Sequence, residues 1–151
     1  MKPMDEQEFL ADLQAHFAEV PFFRFLGARV VRVARGEAEI RLAMRPEYAN
    51  TYGIGHGGVV AALVDMATGV ALRTLQIFLV TIETSTNYFD KVALDTELTA
   101  TARVVFQGKR IANGAVEVRN REGALVAVGK TTFYVTGDVR KQTNGGANVD
   151  G

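Results

Sequence analysis

The apolar positions of the chain change period along its length, and each change marks a different element. Between Asp5 and Val20, Phe9, Leu10, Leu13 and Phe17 recur at helical spacing, with Asp5 and Glu6 in the first turn, where the helix dipole favours anions. This predicts an amphipathic N-terminal helix. Pro21 interrupts it, and Phe22, Phe23, Phe25 and Leu26 follow before Gly27, which reads as a short aromatic-rich turn packed on the core. From Ala28 the period becomes two. Ala38, Ile40, Leu42 and Met44 alternate with Glu37, Glu39, Arg41 and Ala43, the pattern of a strand with one buried face. Gly36 separates it from residues 28–35, so the two predict a hairpin. Residues 78–89, 97–106, 111–120 and 124–135 read as further strands, with turn chemistry at Gln107-Gly108-Lys109 and Asn120-Arg121-Glu122-Gly123. Short connections favour an antiparallel meander, because parallel neighbours need long crossovers.

One segment breaks the strand series. Residues 57–73 are too many for a typical strand, and their apolar side chains cover the whole helical circumference, which predicts a helix buried nearly all round and wrapped by the sheet. The last residues, from Gly137 on, lack apolar anchors. The expected organisation is therefore a single domain over residues 1–137 and a disordered tail over 138–151.

Composition agrees with one domain: 151 residues with 48% hydrophobic content can bury a core unaided. Seventeen basic and seventeen acidic residues cancel, and no basic block interleaves with aromatics, so a nucleic-acid partner is not expected. The absence of cysteine removes disulfides, thiolate metal sites and cysteine catalysis. An N-terminus that turns acidic at once, and apolar runs far shorter than a membrane span, lead to the expectation of a cytoplasmic protein without membrane partners.

Candidate chemistry is concentrated between Ala49 and Gly69. Gly53-Ile54-Gly55-His56-Gly57-Gly58 satisfies G-x-G-x-x-G, but no strand runs into it and no acidic residue follows at the usual distance, so a dinucleotide site is disfavoured. Two histidines, His16 and His56, do not make a metal site. What remains is a glycine-rich approach to a helix N-terminus, where a backbone amide at Gly57 or Gly58 can stabilise a developing oxyanion. The plainer alternative is that the glycines only make a tight turn.

Asp65 sharpens the question. A carboxylate inside an all-round apolar helix is costly to bury unless it is hydrogen-bonded, and burial disfavours its charged form, which suits a base or nucleophile. The plainer alternative is an Asp at a small solvent window. Eight residues separate Gly57 from Asp65, about 12 Å along one helix axis, too far for both to meet one small electrophile. If they act together, they come from different subunits, with two such helices antiparallel across a dyad.

The run Asn50, Gly53, His56, Gly57, Gly58 and Asp65 has the spacing N-x-x-G-x-x-H-G-G-x6-D, and it resembles the hotdog-fold acyl-CoA thioesterases of the phenylacetic-acid-degradation type, which include the thioesterase superfamily member 2 group. The resemblance covers roughly residues 20 to 137. It implies an α+β hotdog fold: a long central helix wrapped by a curved antiparallel sheet, with an N-terminal helix added. It also implies that Asn50 and the Gly57 amide polarise a thioester carbonyl while Asp65 of the neighbouring chain activates water or attacks directly. Thr81 matches a strand Ser or Thr that helps hold that water, and His56 matches a histidine that shapes the loop. Gly108, Lys109 and Arg110 match a glycine-basic turn that in relatives lies near coenzyme A phosphates; an ordinary exposed hairpin turn is the alternative. The resemblance implies a homotetramer, a dimer of dimers, while the spacing itself requires only two chains. No cofactor or metal is expected, since coenzyme A is part of the substrate.

Three other functions compete with this one. A hotdog module that binds acyl-CoA without hydrolysing it would not need Asp65 and Asn50 together. A hotdog hydratase acting on enoyl or hydroxyacyl thioesters would place its histidine in a different motif. A purely structural subunit leaves the carboxylate unexplained. There is no G-x-S-x-G elbow for an α/β-hydrolase route.

Overall fold

The computed structural model describes residues 5–139. Helix α1 spans Glu6–Glu19 and is followed by a short helix α2, Pro21–Leu26. The hairpin of β1 (Ala28–Ala34) and β2 (Glu37–Ala43) comes next, then helix α3 (Gly57–Arg73). Four strands complete the fold: β3 (Ile77–Tyr88), β4 (Glu97–Gln107), β5 (Ile111–Arg119) and β6 (Leu125–Asp138). Strand β6 runs through Gly137 and Asp138, and the Val139 amide donates to Gln76 O at 2.8 Å, extending the pairing with β3. The rest of the expected tail lies outside the described residues.

All six strands join one antiparallel sheet in the order β1-β2-β4-β5-β6-β3. This corrects the simple meander. After β2 the chain crosses the face of the sheet as α3 and enters β3 at the far edge, beside β6, so that β2 pairs with β4 instead. Four antiparallel steps separate β2 from β3 in this order, so the two strands run parallel to each other, and a long helical crossover is what such a connection requires.

The period-two pattern of the strands decides which face meets the helix. Ala38, Ile40 and Leu42 of β2, Leu98, Ala100 and Ala102 of β4 and Val116 and Val118 of β5 are buried, and they form one core with Leu63, Val64, Ala67 and Val70 of α3. Small alanines in the middle strands let the sheet curve closely round the helix. At the C-terminal end of α3, Thr74 Oγ1 accepts the Gly36 amide at 2.7 Å and donates to Ala71 O at 2.6 Å, tying the β1–β2 turn to the helix end.

Two expectations about burial are corrected. Within the chain, α3 is not buried all round: Ala62, Asp65, Gly69 and Arg73 are half-buried and Gly58 is exposed, forming one open stripe. A single six-stranded sheet reaches round only part of the helix. The aromatic turn is a helix whose first residue is Pro21, a position where the missing N–H costs nothing. Phe23 and Leu26, three apart, are buried on its inner side, while Phe22 and Phe25 on the other side are exposed, Phe25 by 72%. Among the described residues, no helix is long and apolar enough to cross a membrane.

Candidate active site

Two half-sites stand at different points of α3. The first is the loop that leads into it. Asn50 Oδ1 accepts the amides of Tyr52 at 2.9 Å and Ile54 at 3.3 Å, and the Asn50 amide donates to Ile54 O at 2.7 Å. Gly53 makes this closed turn with φ +74°, a conformation that side chains resist. The Asn50 carboxamide oxygen is thus committed to the loop, and Nδ2 is the group left to donate outward.

His56 is the N-cap of α3, and its Nδ1 accepts the Gly58 amide at 2.8 Å. A Cβ on Gly58 would stand 3.0 Å from that Nδ1, so the glycine makes room for the cap. The imidazole therefore shapes the loop and is not placed beside Asp65. Gly57, at the first helical position, has no intrahelical acceptor for its N–H. Its carbonyl accepts the Tyr88 hydroxyl at 2.8 Å, which anchors the helix start to the end of β3. The amide thereby has a fixed direction.

The second half-site is two turns along the helix. Asp65 is half-buried on the open stripe, not enclosed as expected, and its charge is met by hydrogen bonds: Thr81 Oγ1 donates to Oδ1 at 2.8 Å and Thr84 Oγ1 to the same oxygen at 3.1 Å. Thr84 also lies 3.3 Å from Thr131 Oγ1 of β6. Both hydroxyls use Oδ1, so Oδ2 is the atom available to a water or substrate. Asp65 stands on the wall of an open groove of about 700 Å³, lined mainly by Phe17, Phe23, Met66, Phe78, Leu79 and Phe133.

Asp65 and Thr81 are thus brought together, as are Asn50, His56, Gly57 and Gly58, but one chain does not join the two sets. Gly57 and Asp65 lie eight residues apart on an unbroken helix, about 12 Å along its axis. Gly57 is anchored to the last residue of β3, through Tyr88, and Asp65 to the middle of that strand, through Thr81 and Thr84. Gly108, Lys109 and Arg110 form the exposed β4–β5 turn, closed by the Gly108 amide on Ile111 O at 2.7 Å. Ile111 pairs with Tyr134 of β6, next to Phe133, which pairs with Thr81, so this turn is at the Asp65 end of the sheet. Neither Tyr48 nor Tyr52 lines the groove: Tyr48 is buried with its hydroxyl on Leu26 O, and Tyr52 is 86% exposed. Thr84 and Tyr88 were missed from sequence, where they look like ordinary strand residues. Among the described residues, no cluster of three or more His, Cys, Asp or Glu side chains could hold a metal.

Known proteins are similar to this chain in sequence and fold. Residues 52–127 match the family model of the thioesterase superfamily. Acyl-coenzyme A thioesterase 13 of Homo sapiens is 31% identical over 118 residues, covering 76% of this chain and 84% of that one. The Escherichia coli PaaI protein from the phenylacetic acid degradation operon superposes with a TM-score of 0.80 over 86% of this chain and 97% of its own; at 22% identity, it supports the fold alone. A hypothetical thioesterase from Streptococcus pneumoniae TIGR4, solved with coenzyme A, has a TM-score of 0.71 and 29% identity, covering 74% of this chain and 90% of that one. With its central helix, curved antiparallel sheet and family match, the chain belongs to the thioesterase superfamily, as a thioester hydrolase of the hotdog fold.

Proposed function

We propose that this protein hydrolyses acyl-CoA thioesters at sites shared between two subunits. The observation that carries the reading is Asp65: a carboxylate held by two threonine hydroxyls at the wall of an apolar groove, with one oxygen left unengaged. In the proposed step, the carbonyl of the substrate sits against the Gly57 amide and Asn50 Nδ2 of one subunit, and Asp65 of the other takes a proton from water. The water oxygen bonds to the carbonyl carbon, and negative charge develops on the carbonyl oxygen, where the amide dipole stabilises it. The C–S bond then breaks and the thiolate takes the proton back, giving free acid and coenzyme A. This set works without a metal or redox cofactor.

Two further features support sharing. The 12-residue strand β3 is an edge of the sheet and exposes Val80 and Ile82, and long exposed edges of this kind invite pairing with another chain. The open stripe on α3 carries Asp65 itself. A solved relative binds coenzyme A, and the exposed Lys109-Arg110 turn at the Asp65 end of the sheet is suited to phosphate. A cytoplasmic homotetramer, a dimer of dimers, completes the proposal.

Release of free thiol from aryl, short, medium and long acyl-CoAs tests it, with Asp65→Asn as control. Turnover of at least one class that collapses in the variant supports the reading. Equal rates for both proteins on the best substrate would sink it.

A further inference from the structure

Two turns beyond Asp65 on the same open stripe of α3, Arg73 faces the same groove. It is half-buried, its Nη1 donates to Ile77 O at 3.2 Å, and its Cζ lies 4.5 Å above the ring of Phe78. Among the described residues, no carboxylate pairs with it; Arg45, Arg103, Arg110 and Arg121 also lack an acidic partner, but all four are exposed. Partial burial without a counter-charge pulls its pKa below the ordinary value. Among the described residues, Asp65 is the one carboxylate lining the groove, and it is about 12 Å away along the helix axis. Its one hydrogen bond ties the helix end to the first residue of β3 and explains one N–H only; the rest of the planar fork is left on the groove wall.

The wall between Asp65 and Arg73 is Met66, Gly69 and Val70 on the helix side and Phe78, Leu79 and Phe133 on the sheet side. Besides Asp65 and Arg73, the polar members of the groove are His16, Thr81 and Thr136, too few to serve the successive amides of a pantetheine arm. It does suit a hydrocarbon chain. A thioester whose carbonyl is at Asp65 would therefore run its acyl group along this groove and bring the far end of that group to Arg73.

We propose that Arg73 is a specificity-determining residue of this site and that it selects acyl groups ending in a carboxylate. The inference rests on the proposed function above, deepening it to a substrate class. The hydrolysis is unchanged; the terminal carboxylate takes no part in the chemistry, and the guanidinium fork binds it bidentately while stacked on Phe78.

The test compares kcat/KM for glutaryl-, adipyl- and suberyl-CoA with methyl-terminated acyl-CoAs of equal length. The wild-type protein is expected to prefer the carboxylate-ended member of at least one pair. Arg73→Gln should lower that preference ratio by about tenfold or more, and Arg73→Lys, which keeps the charge without the fork, should fall between. A purely structural role would lower both rates together and leave the ratio intact. If Arg73→Gln does not fold, the ratio in Arg73→Lys decides, with an unchanged ratio overturning the proposal. Hydrolysis of methyl-terminated substrates with no preference in any pair overturns this inference alone. Failure to hydrolyse any of these thioesters above the Asp65→Asn level overturns the thioesterase reading with it.

Discussion

The Thr81 hydroxyl donates to Asp65 Oδ1 at 2.8 Å, joining the middle of the central helix to the edge strand of the sheet. Thr84 reaches the same oxygen, so the carboxylate is oriented by two donors from one strand. An Asp held in this way keeps one oxygen for chemistry and gives up the other for position.

Replacing Asp65 by Asn should lower kcat by about 10²–10⁴-fold, the range lost with a general base. The carboxamide oxygen still accepts from Thr81 and Thr84, so the denaturation midpoint should stay near wild type. Steady-state thiol release, with a urea melt beside it, reads both.

Thr81→Val removes one of the two donors and should lower kcat by about tenfold, with KM less affected, while Thr81→Ser restores it. Wild-type turnover in the valine variant would show that Thr84 alone orients the carboxylate.

Chains carrying Asp65→Asn and chains carrying Gly57→Pro should each be nearly inactive. Mixed and reassembled, they should recover part of the activity, because one mixed dimer would contain a site with neither lesion. Absence of recovery in mixed dimers demonstrated by mass spectrometry would count against shared sites. Proline suits the first helical position, though its ring must shift Tyr88, which a Cβ at residue 57 approaches to 3.3 Å.

Gly129 of β6 lies so close to α3 that a Cβ there would come within 2.5 Å of Val64 Cγ1 and 2.8 Å of Ser85 O. Gly129→Ala should destabilise by about 1–3 kcal/mol through overpacking. Since Val64 adjoins Asp65, activity of the folded fraction should fall too. Chemical denaturation checks the first effect and active-site-normalised turnover the second.

Much of this architecture was legible in the chain. The central helix has the predicted bounds, 57–73, because its length and apolar content differ so sharply from the alternating segments around it. The strands fall within a residue or two of their period-two runs, apart from β6, whose polar end at Gly137 and Asp138 is held by pairing with β3 and not by its own pattern. The glycine-rich approach to the helix and Asp65 stood out from the pattern of the chain, whereas a loop-shaping role for His56 came only with the family resemblance, and its capping bond only with the structure.

Thr84 shows what spacing missed. In a regular strand, residues three apart point to opposite faces, so Thr81 and Thr84 do not look like partners. A register shift between Thr81 and Glu83 turns both toward Asp65. That shift depends on how β3 lies against β6 and α3, which no local pattern encodes.

By itself, the sequence determined the element types, the polar and apolar faces of the strands, and the distance between Gly57 and Asp65, because these follow from local periodicity and helix geometry. Tertiary structure alone decided that β3 occupies the far edge, that α3 keeps an open stripe, and that Arg73 shares a groove with Asp65. These are consequences of strand order and sheet curvature, set by contacts between residues far apart in the chain, where period and propensity carry no information.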